Sequence, residues 1–257
     1  DSERFLGEAL KKYPRDSYYL ATKVYGSPNR DIRKTFAEQL ERLQTDYVDL
    51  YQIHNPSFVP KPDDGSGVYE AFLKLKDEGK IRHIGFTSHK YELALEAIES
   101  GLYETMQFPF NYLTGEKELD IVEKCKHHNM GFIAMKAMSG GLLKSSKAAY
   151  AYVNHYDNVV PIWGVQRESE LDEFLSYMKE DVKLDDELSE IIRKDREELQ
   201  GEFCRGCGYC MPCPMDIKIN NCARMSLLLR RSPSELQLTA EVQEKMKKIE
   251  NCLQCGQ

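Results

Sequence analysis

The sequence has 257 residues, a length that allows one large domain or two smaller ones with an ample core. Lys and Arg total 35 against 42 for Asp and Glu, so the formal net charge is −7, and no basic stripe predicts nucleic-acid binding. No apolar run approaches the roughly 18 residues of a membrane span, and the first residues do not resemble a signal peptide. We therefore expect a cytoplasmic protein that binds neither nucleic acid nor membrane.

Helical and strand patterns alternate from residue 2 to residue 178. Six segments have the apolar pattern of strands: Tyr18–Val24, Tyr47–Ile53, Ile81–Phe86, Thr105–Phe108, Gly131–Lys136 and Val159–Gly164. Apolar residues at helical spacing separate them, and a loop rich in Pro, Asp and Gly covers Asn55–Gly67. Alternating strands and helices predict an α/β fold with a parallel sheet covered by helices.

Two α/β architectures fit this alternation. A (β/α)8 TIM barrel has eight strands and typically about 250 residues. An open doubly wound sheet that binds a dinucleotide has the glycine-rich turn GxGxxG, which is absent here. Six units that start on a helix favour a TIM barrel whose first two strands precede residue 1.

The character of the sequence changes after residue 178. A charged helical segment, Asp185–Leu199, leads to a cysteine-rich stretch, and a helix over Ala223–Arg231 follows it. Ser232 and Pro233 mark a turn and the start of another helix. So few large apolar residues predict a small helical module that depends on bound metal for its stability. We predict a barrel domain over residues 1–180 and this module over residues 181–257.

Seven of the eight cysteines follow residue 203, and the exception is Cys125. Four of them lie at two-residue gaps before Pro214, and a pair with the same gap comes later: Cys204, Cys207, Cys210 and Cys213, then Cys252 and Cys255. The run resembles the bacterial ferredoxin pattern, in which three cysteines bind one 4Fe–4S cluster and the cysteine before proline binds a second. That pattern has three residues, not two, before its last cysteine. By this resemblance Cys213 would bind the same cluster as Cys252 and Cys255. The sequence ends where the next cysteine of that pattern is expected.

Two other interpretations of the cysteines stay open. Paired CxxC loops also build tetrahedral zinc sites. A disulfide framework is less suited to a long acidic chain, because such a density of CxxC is more often metal-binding there. Cys222 lies outside both runs and is interpreted as a spare thiol, or as a substitute ligand if the short gap misplaces Cys213.

The catalytic groups of barrel enzymes lie at the C-terminal ends of the strands. Such ends contain Lys23 and His54 on adjacent strands, then Ser88, Gln107, and the pair Gln166 and Arg167. A lysine and a histidine at neighbouring strand ends can share one pocket. Taken singly, each has a simpler interpretation, because lysines are usually solvated charges and many histidines are structural.

Several segments taken together resemble the aldo-keto reductase family. They are Ser2-Glu3 with Leu6-Gly7, Leu20-Ala-Thr-Lys23, Asp46–His54, Gly85-Phe-Thr-Ser88, Gln107 and Gly140–Leu143. With its iron–sulfur tail the chain is similar to the ferredoxin-tailed branch of that family. The resemblance implies a catalytic tetrad of Asp, Tyr, Lys and His, of which Lys23 and His54 are two. The tyrosine and the aspartate are expected a few residues before Ser2.

The resemblance also implies a role for each site residue. Lys23 would lower the pKa of the tyrosine that protonates the substrate, and His54 would orient the substrate carbonyl. Ser88 and Gln107 would hold the nicotinamide carboxamide, although His89 stands where asparagine is usual. Gln166 and Arg167 would lie at the 2′-phosphate end of the cofactor.

Two departures bear on the cofactor. Met135-Lys136 stand where the family usually places a tyrosine against the nicotinamide. Arg167 is the sole basic candidate for the 2′-phosphate, and Glu168 and Glu170 follow it. Because carboxylates oppose phosphate binding, we expect no preference for NADPH over NADH.

The sequence therefore predicts an oxidoreductase that reduces a carbonyl with NAD(P)H, or oxidises an alcohol, and that holds one or two 4Fe–4S clusters. Nicotinamide transfers two electrons together and clusters pass one at a time, so the clusters are either structural or connected through an electron-transfer partner. Two alternatives remain: a redox sensor with a non-catalytic barrel, and a reductase with structural zinc in its tail.

Overall fold

A computed structural model describes residues 2–199, 204, 210–231 and 234–255. Within these residues six strands form one sheet in chain order: β1 (Ala21–Val24), β2 (Val48–His54), β3 (Ile81–Thr87), β4 (Thr105–Pro109), β5 (Gly131–Met135) and β6 (Val159–Pro161). The pairs β1–β2, β2–β3 and β3–β4 are parallel. The six predicted strands and the α/β class are thus confirmed.

The two outermost strands are shorter than predicted. β1 begins at Ala21 rather than at Tyr18, because the Leu20 amide donates to the Asp49 carboxylate (2.9 Å) instead of to a neighbouring strand. Tyr19 is 92% exposed and has no sheet to pack on. β6 ends at Pro161 rather than at Gly164, although the Ile162 amide still donates to the Ala134 carbonyl of β5 (3.0 Å).

Helices separate the strands as predicted, and others follow the last strand. They are α1 (Ser2–Leu10), α2 (Ile32–Leu43), α3 (Val68–Asp77), α4 (Tyr91–Glu99), α5 (Glu116–His127), α6 (Ser146–Asn154), α7 (Glu168–Glu180), α8 (Asp186–Glu198), α9 (Ile219–Arg231), α10 (Ser234–Gln237) and α11 (Ala240–Lys247), with short 3-10 turns at Arg15–Ser17 and Lys248–Asn251. α9 begins four residues before the predicted start at Ala223. The turn expected at Ser232 and Pro233 lies outside the described residues. No helix among those described is long and apolar enough to cross a bilayer.

The strand register decides which side chains share a face of the sheet. Lys23 pairs with Gln52, Gln52 with Gly85, and Gly85 with Thr105, so these four residues form one row. Side chains alternate between the two faces along a strand. The next row on the same face, one step nearer the C-terminal ends, therefore contains His54, Thr87 and Gln107.

The opposite face of the sheet packs on helices. Tyr51 lies between the rings of Phe36 in α2 and Phe72 in α3, at 4.6 and 4.7 Å between ring centres. Its hydroxyl donates to the Gln39 side chain (2.7 Å), and the Gln39 amide donates to the Lys23 carbonyl (2.9 Å). The helix layer thereby holds the backbone of Lys23 in place.

The chain divides into two compact units. One comprises residues 1–108, 115–133 and 158–160, and so includes most of the sheet. The other comprises residues 109–114, 134–157 and 161–257. The domain boundary expected near residue 180 stays a prediction.

Asp49 is a buried carboxylate at the N-terminal part of β2. It accepts hydrogen bonds from the Leu20 amide (2.9 Å), from Arg15 (2.7 Å) and from Arg82 (2.9 Å), and it is 3% exposed. Burial raises the pKa of this carboxyl, but the Leu20 N–H and the two guanidinium groups outweigh burial and hold the pKa below its ordinary value. Asp49 therefore joins the start of β1 to β2 and β3.

Replacing Asp49 with Asn should lower the free energy of unfolding at pH 7 by about 2 kcal/mol, because hydrogen bonds to a charged group are lost. The native pKa is depressed, so the stabilisation is present above the ordinary value of 3.8 and is lost as pH falls through the native pKa. Urea unfolding at pH 7 and at several values below pH 4 measures both effects. Asp46→Asn, at an exposed position, is the control, and equal midpoints for the two variants would contradict this role.

Candidate functional site

Lys23 and His54 lie at the C-terminal ends of the adjacent strands β1 and β2, and both are half-buried. Burial lowers the pKa of the Lys23 ammonium. Burial, and after it the positive charge of Lys23, lowers the pKa of His54. The structure thus brings the two predicted catalytic residues close enough for the charge of one to act on the other.

These shifts determine what each group can do. An imidazole whose pKa is depressed is neutral at neutral pH, so it has one N–H donor and one acceptor nitrogen. The His54 ring stacks on Tyr25 at 4.7 Å, which restricts its orientation. Within the part of the chain that the structure describes, the Lys23 ammonium makes no hydrogen bond or ion pair. Burial of an unpaired cation costs free energy, so the Lys23 ammonium favours a polar partner from a bound molecule or another segment.

Two further polar side chains lie in the row of Lys23. The Gln52 amide nitrogen and the Thr105 hydroxyl are buried and have no hydrogen-bond partner among the described residues. Gly85 lies between them, and a Cβ there would come within 2.3 Å of the Thr105 hydroxyl and 2.9 Å of the Gln52 side chain. Sequence reasoning missed Thr105, because only the register shows that it shares a row with Lys23.

Ser88 and Gln107 are brought together at the ends of β3 and β4. The Ser88 amide donates to the Gln107 carbonyl (3.1 Å), and both residues are buried. The Ser88 hydroxyl, however, donates to the Lys90 carbonyl (3.2 Å) and accepts from the Lys90 amide (3.0 Å). Its hydroxyl therefore closes a local turn, and its contact with a nicotinamide carboxamide stays a prediction.

In the second unit, Gln166 and Arg167 immediately precede α7. The Glu170 carboxylate accepts from the Gln166 amide (2.8 Å) and the Arg167 amide (3.4 Å), and it lies 3.7 Å from the Arg167 guanidinium. Glu170 thus caps the N-terminus of α7 and partly neutralises an arginine whose side chain is 74% exposed. The sequence indicated the charge of Glu170 but not this capping role.

The cysteine-rich tail contains a cavity of about 270 Å³. Three of the predicted ligands line it, Cys213, Cys252 and Cys255, and Cys222 lines it as well. The rest of the lining is mostly apolar: Pro214, Met215, Ile217, Ile219, Ile249 and Leu253, with Gln254. Cys204 and Cys210 are partly exposed, and Cys207 lies outside the described residues.

Cys222 belongs to this cavity because α9 begins earlier than predicted. Ile219 and Cys222 are three residues apart in α9 and so lie on one face of the helix. The Cys222 thiol approaches the Met246 sulfur at 3.7 Å. A helix predicted to start at Ile219 instead of Ala223 would have placed Cys222 on the same helix face as Ile219.

The cavity fits a cluster better than a single ion. A tetrahedral zinc site needs its sulfurs about 2.3 Å from one point. Among the described residues, no three His, Cys, Asp or Glu side chains are arranged to hold one ion. In a 4Fe–4S cluster each of the four cysteines binds a different iron, so thiols spread around a cavity suit that ligand.

Two family models match the chain. Residues 1–148 match the aldo/keto reductase family, and residues 203–257 match a 4Fe-4S dicluster domain. Both resemblances predicted from the sequence are thus confirmed.

Similar proteins and solved structures agree with the match to the aldo/keto reductase family. An L-galactose dehydrogenase of Arabidopsis thaliana is 32% identical over 55% of this chain and 48% of its own length. A methylglyoxal reductase of Salmonella typhi is 32% identical over 63% of this chain and 62% of its own length. The chain thus spans about half to three fifths of these relatives. An aldo/keto reductase from Klebsiella pneumoniae, solved with NADP and acetate, superposes with a TM-score of 0.64 at 23% identity, over 78% of each chain. This likeness confirms the barrel fold.

The electrostatic contact between Lys23 and His54 is directly measurable. His54 should titrate below its ordinary pKa of 6.5, and Lys23→Met should raise its pKa without restoring 6.5, because burial is the larger cause. Since the native pKa is the lower one, the His54 contribution to stability should fall as pH drops through 6.5. NMR titration of the imidazole C–H resonance in the complete protein measures the pKa in both forms. Lys12→Met, at an exposed position, should leave it unchanged, and an unchanged pKa in Lys23→Met would refute the contact.

Proposed function

We propose that this chain, which belongs to the aldo/keto reductase family, acts in an oxidoreductase that interconverts a small carbonyl and its alcohol with a nicotinamide cofactor. The observation that carries the proposal is the half-buried Lys23 ammonium, unpaired within the described residues, beside a His54 whose pKa is depressed. This pair lies at the end of the sheet where barrel enzymes place their catalytic groups.

The two residues have complementary parts in carbonyl reduction. A nicotinamide, when bound, would supply the hydride. His54, which is neutral, would donate a hydrogen bond to the carbonyl oxygen, where negative charge develops during reduction. The proton comes from the tyrosine that the family places upstream of Ser2. Lys23 beside that phenol favours the phenolate and so lowers the barrier to proton release.

Ser88 and Gln107, which are adjacent at the ends of β3 and β4, are assigned to the nicotinamide carboxamide. The Ser88 hydroxyl would exchange its hydrogen bonds with Lys90 for one to the cofactor. Gln166 and Arg167 are assigned to the adenosine end. Glu170 neutralises Arg167 and caps α7, so a 2′-phosphate there would meet a carboxylate. We therefore assign NADH a binding affinity at least equal to that of NADPH.

The complete protein should turn over a small dicarbonyl such as methylglyoxal with NADH. Lys23→Met should lower kcat by at least about 100-fold, because proton transfer loses its activating charge. The measurement is nicotinamide oxidation at 340 nm, with Lys12→Met as the matched control. Equal turnover in Lys23→Met would contradict the enzyme and favour a redox sensor. A preference for NADPH above about tenfold, or roughly 1.4 kcal/mol, would contradict the cofactor assignment.

We further propose that the tail holds two 4Fe–4S clusters. Cys204, Cys207 and Cys210 serve one cluster, and Cys213, Cys252 and Cys255 serve the other. The second assignment is supported by the common cavity of its three cysteines. The lining is mostly apolar, although Cys252 and Cys255 are exposed, and the polarity and solvent access of such a shell tune the potential of a cluster. Hydride transfer does not require these clusters, so they are structural or pass electrons to a partner protein.

Cys213→Ser should remove about half of the iron, since one of two clusters loses a ligand. Iron and sulfide assays with anaerobic visible absorption measure this loss. Cys125→Ser is the control, and it should retain all the iron because Cys125 is a buried thiol of α5 outside the cysteine-rich tail. Full iron in Cys213→Ser would contradict its role as a ligand, and zinc in place of iron in the unaltered protein would contradict the clusters.

A further inference from the structure

The loop after β5 has an unusual backbone. Ser139, Gly140 and Gly141 are consecutive residues in the left-handed region, with φ of 48°, 65° and 87°. The Gly141 and Leu143 amides both donate to the Met138 carbonyl, at 3.0 and 3.3 Å, and close the loop on itself. Left-handed residues other than glycine are strained unless their surroundings hold them. The loop follows the C-terminal end of a strand, the position of active-site loops in barrel enzymes.

Arg224 of α9 provides part of that support. It is 8% exposed, and its guanidinium donates to the Gly140 carbonyl at 2.8 Å and to the Ser139 carbonyl at 3.3 Å. A Cβ at Gly140 would come within 3.0 Å of this guanidinium. The glycine therefore lets the arginine reach the backbone of the loop.

Arg231, two helical turns further along α9, provides the rest. It is 6% exposed, and its Nε donates to the Leu142 carbonyl at 2.7 Å. Its other nitrogens pair with Asp195 and Glu198 of α8, so its charge is compensated although it is buried. Residues seven apart lie on one face of a helix, and this face of α9 follows the loop from Ser139 to Leu142.

The other end of the same helix lines the cysteine cavity. Ile219, the first residue of α9, and Cys222 both belong to the cavity wall. A helix of 13 residues is about 20 Å long, so α9 spans the distance between the cavity and the loop contacts. The Nε of Arg224 is buried and has no hydrogen-bond partner among the described residues, so its contacts with the Ser139 and Gly140 carbonyls are the hydrogen bonds that compensate its burial.

We propose that Arg224 and Arg231 are positioning residues, through which occupation of the cysteine cavity sets the conformation of the loop over Ser139–Leu142. The cluster fixes the start of α9, α9 fixes the two arginines, and the arginines hold three loop carbonyls. This coupling rests on the cluster and the nicotinamide activity proposed above. It gives the tail control over the loop after β5 without any electron passing between the cluster and the cofactor.

Hydrogen exchange of the Gly141 and Leu143 amides tests the coupling in the full chain. In the unaltered protein, anaerobic chelation of the iron should speed their exchange about tenfold or more, as expected for the loss of roughly 1.4 kcal/mol of protection. Arg224→Met should exchange fast even with its iron in place. The control, Arg230→Met, should behave as the unaltered protein, because Arg230 is exposed and donates to Ser226 within α9.

A second variant and a binding measurement separate positioning from general destabilisation. Arg224→Lys, which keeps one donor, should restore part of the protection. Arg224→Met should also weaken NADH binding by about tenfold, while Arg230→Met does not and iron content is equal in the two. If the exchange rates of the Gly141 and Leu143 amides change neither on iron removal nor in Arg224→Met, the coupling alone is overturned. If the protein contains no iron, both the proposed clusters and the coupling are overturned. If loop exchange depends on iron but the protein does not bind NADH, only the proposed enzyme activity is overturned.

Discussion

The parallel register of β1, β2 and β3 is the constraint on which the candidate active site depends. It places Lys23 beside Gln52 and brings His54 one step further towards the C-terminal ends. A slip of one residue in β1 would turn Lys23 towards the helix layer and remove it from the site. The register is maintained from both ends, by the Asp49 carboxylate at the start of β1 and by Gln39 at the Lys23 carbonyl.

Burial gives the two catalytic candidates their chemistry. Desolvation disfavours the charged form of both Lys23 and His54, and their proximity adds to the effect on the histidine. The result is a neutral His54 beside the Lys23 ammonium. If the imidazole were also protonated, the two positive charges would repel each other. In the reaction proposed above, such a site would stabilise the developing oxyanion and leave the lysine to act on a phenol. The electrostatic asymmetry follows from burial and from the register together.

The tail is built on a different principle from the barrel. The barrel is stabilised by packed aromatic and aliphatic side chains, with Tyr51 between Phe36 and Phe72 as an example. The tail surrounds a cavity lined by cysteines and has few buried apolar residues, so a bound cluster takes the place of a core. Its helix α9 is nevertheless joined to the loop after β5 by buried arginines. In the coupling proposed above, a change in the cluster reaches that loop through α9.

The sequence by itself determined the six strands, the barrel class and the position of the cysteine-rich module, because apolar periodicity and CxxC spacing are local properties of the chain. It also singled out Lys23 and His54, since strand ends are readable from local pattern. Only the tertiary structure decided which side chains meet. Thr105 joins the row of Lys23 through the register of β3 and β4, Cys222 enters the cavity through the early start of α9, and Arg224 reaches the Gly140 carbonyl from a distant part of the sequence. Such contacts depend on how elements pack, and packing between distant segments leaves no periodic signal in a single sequence.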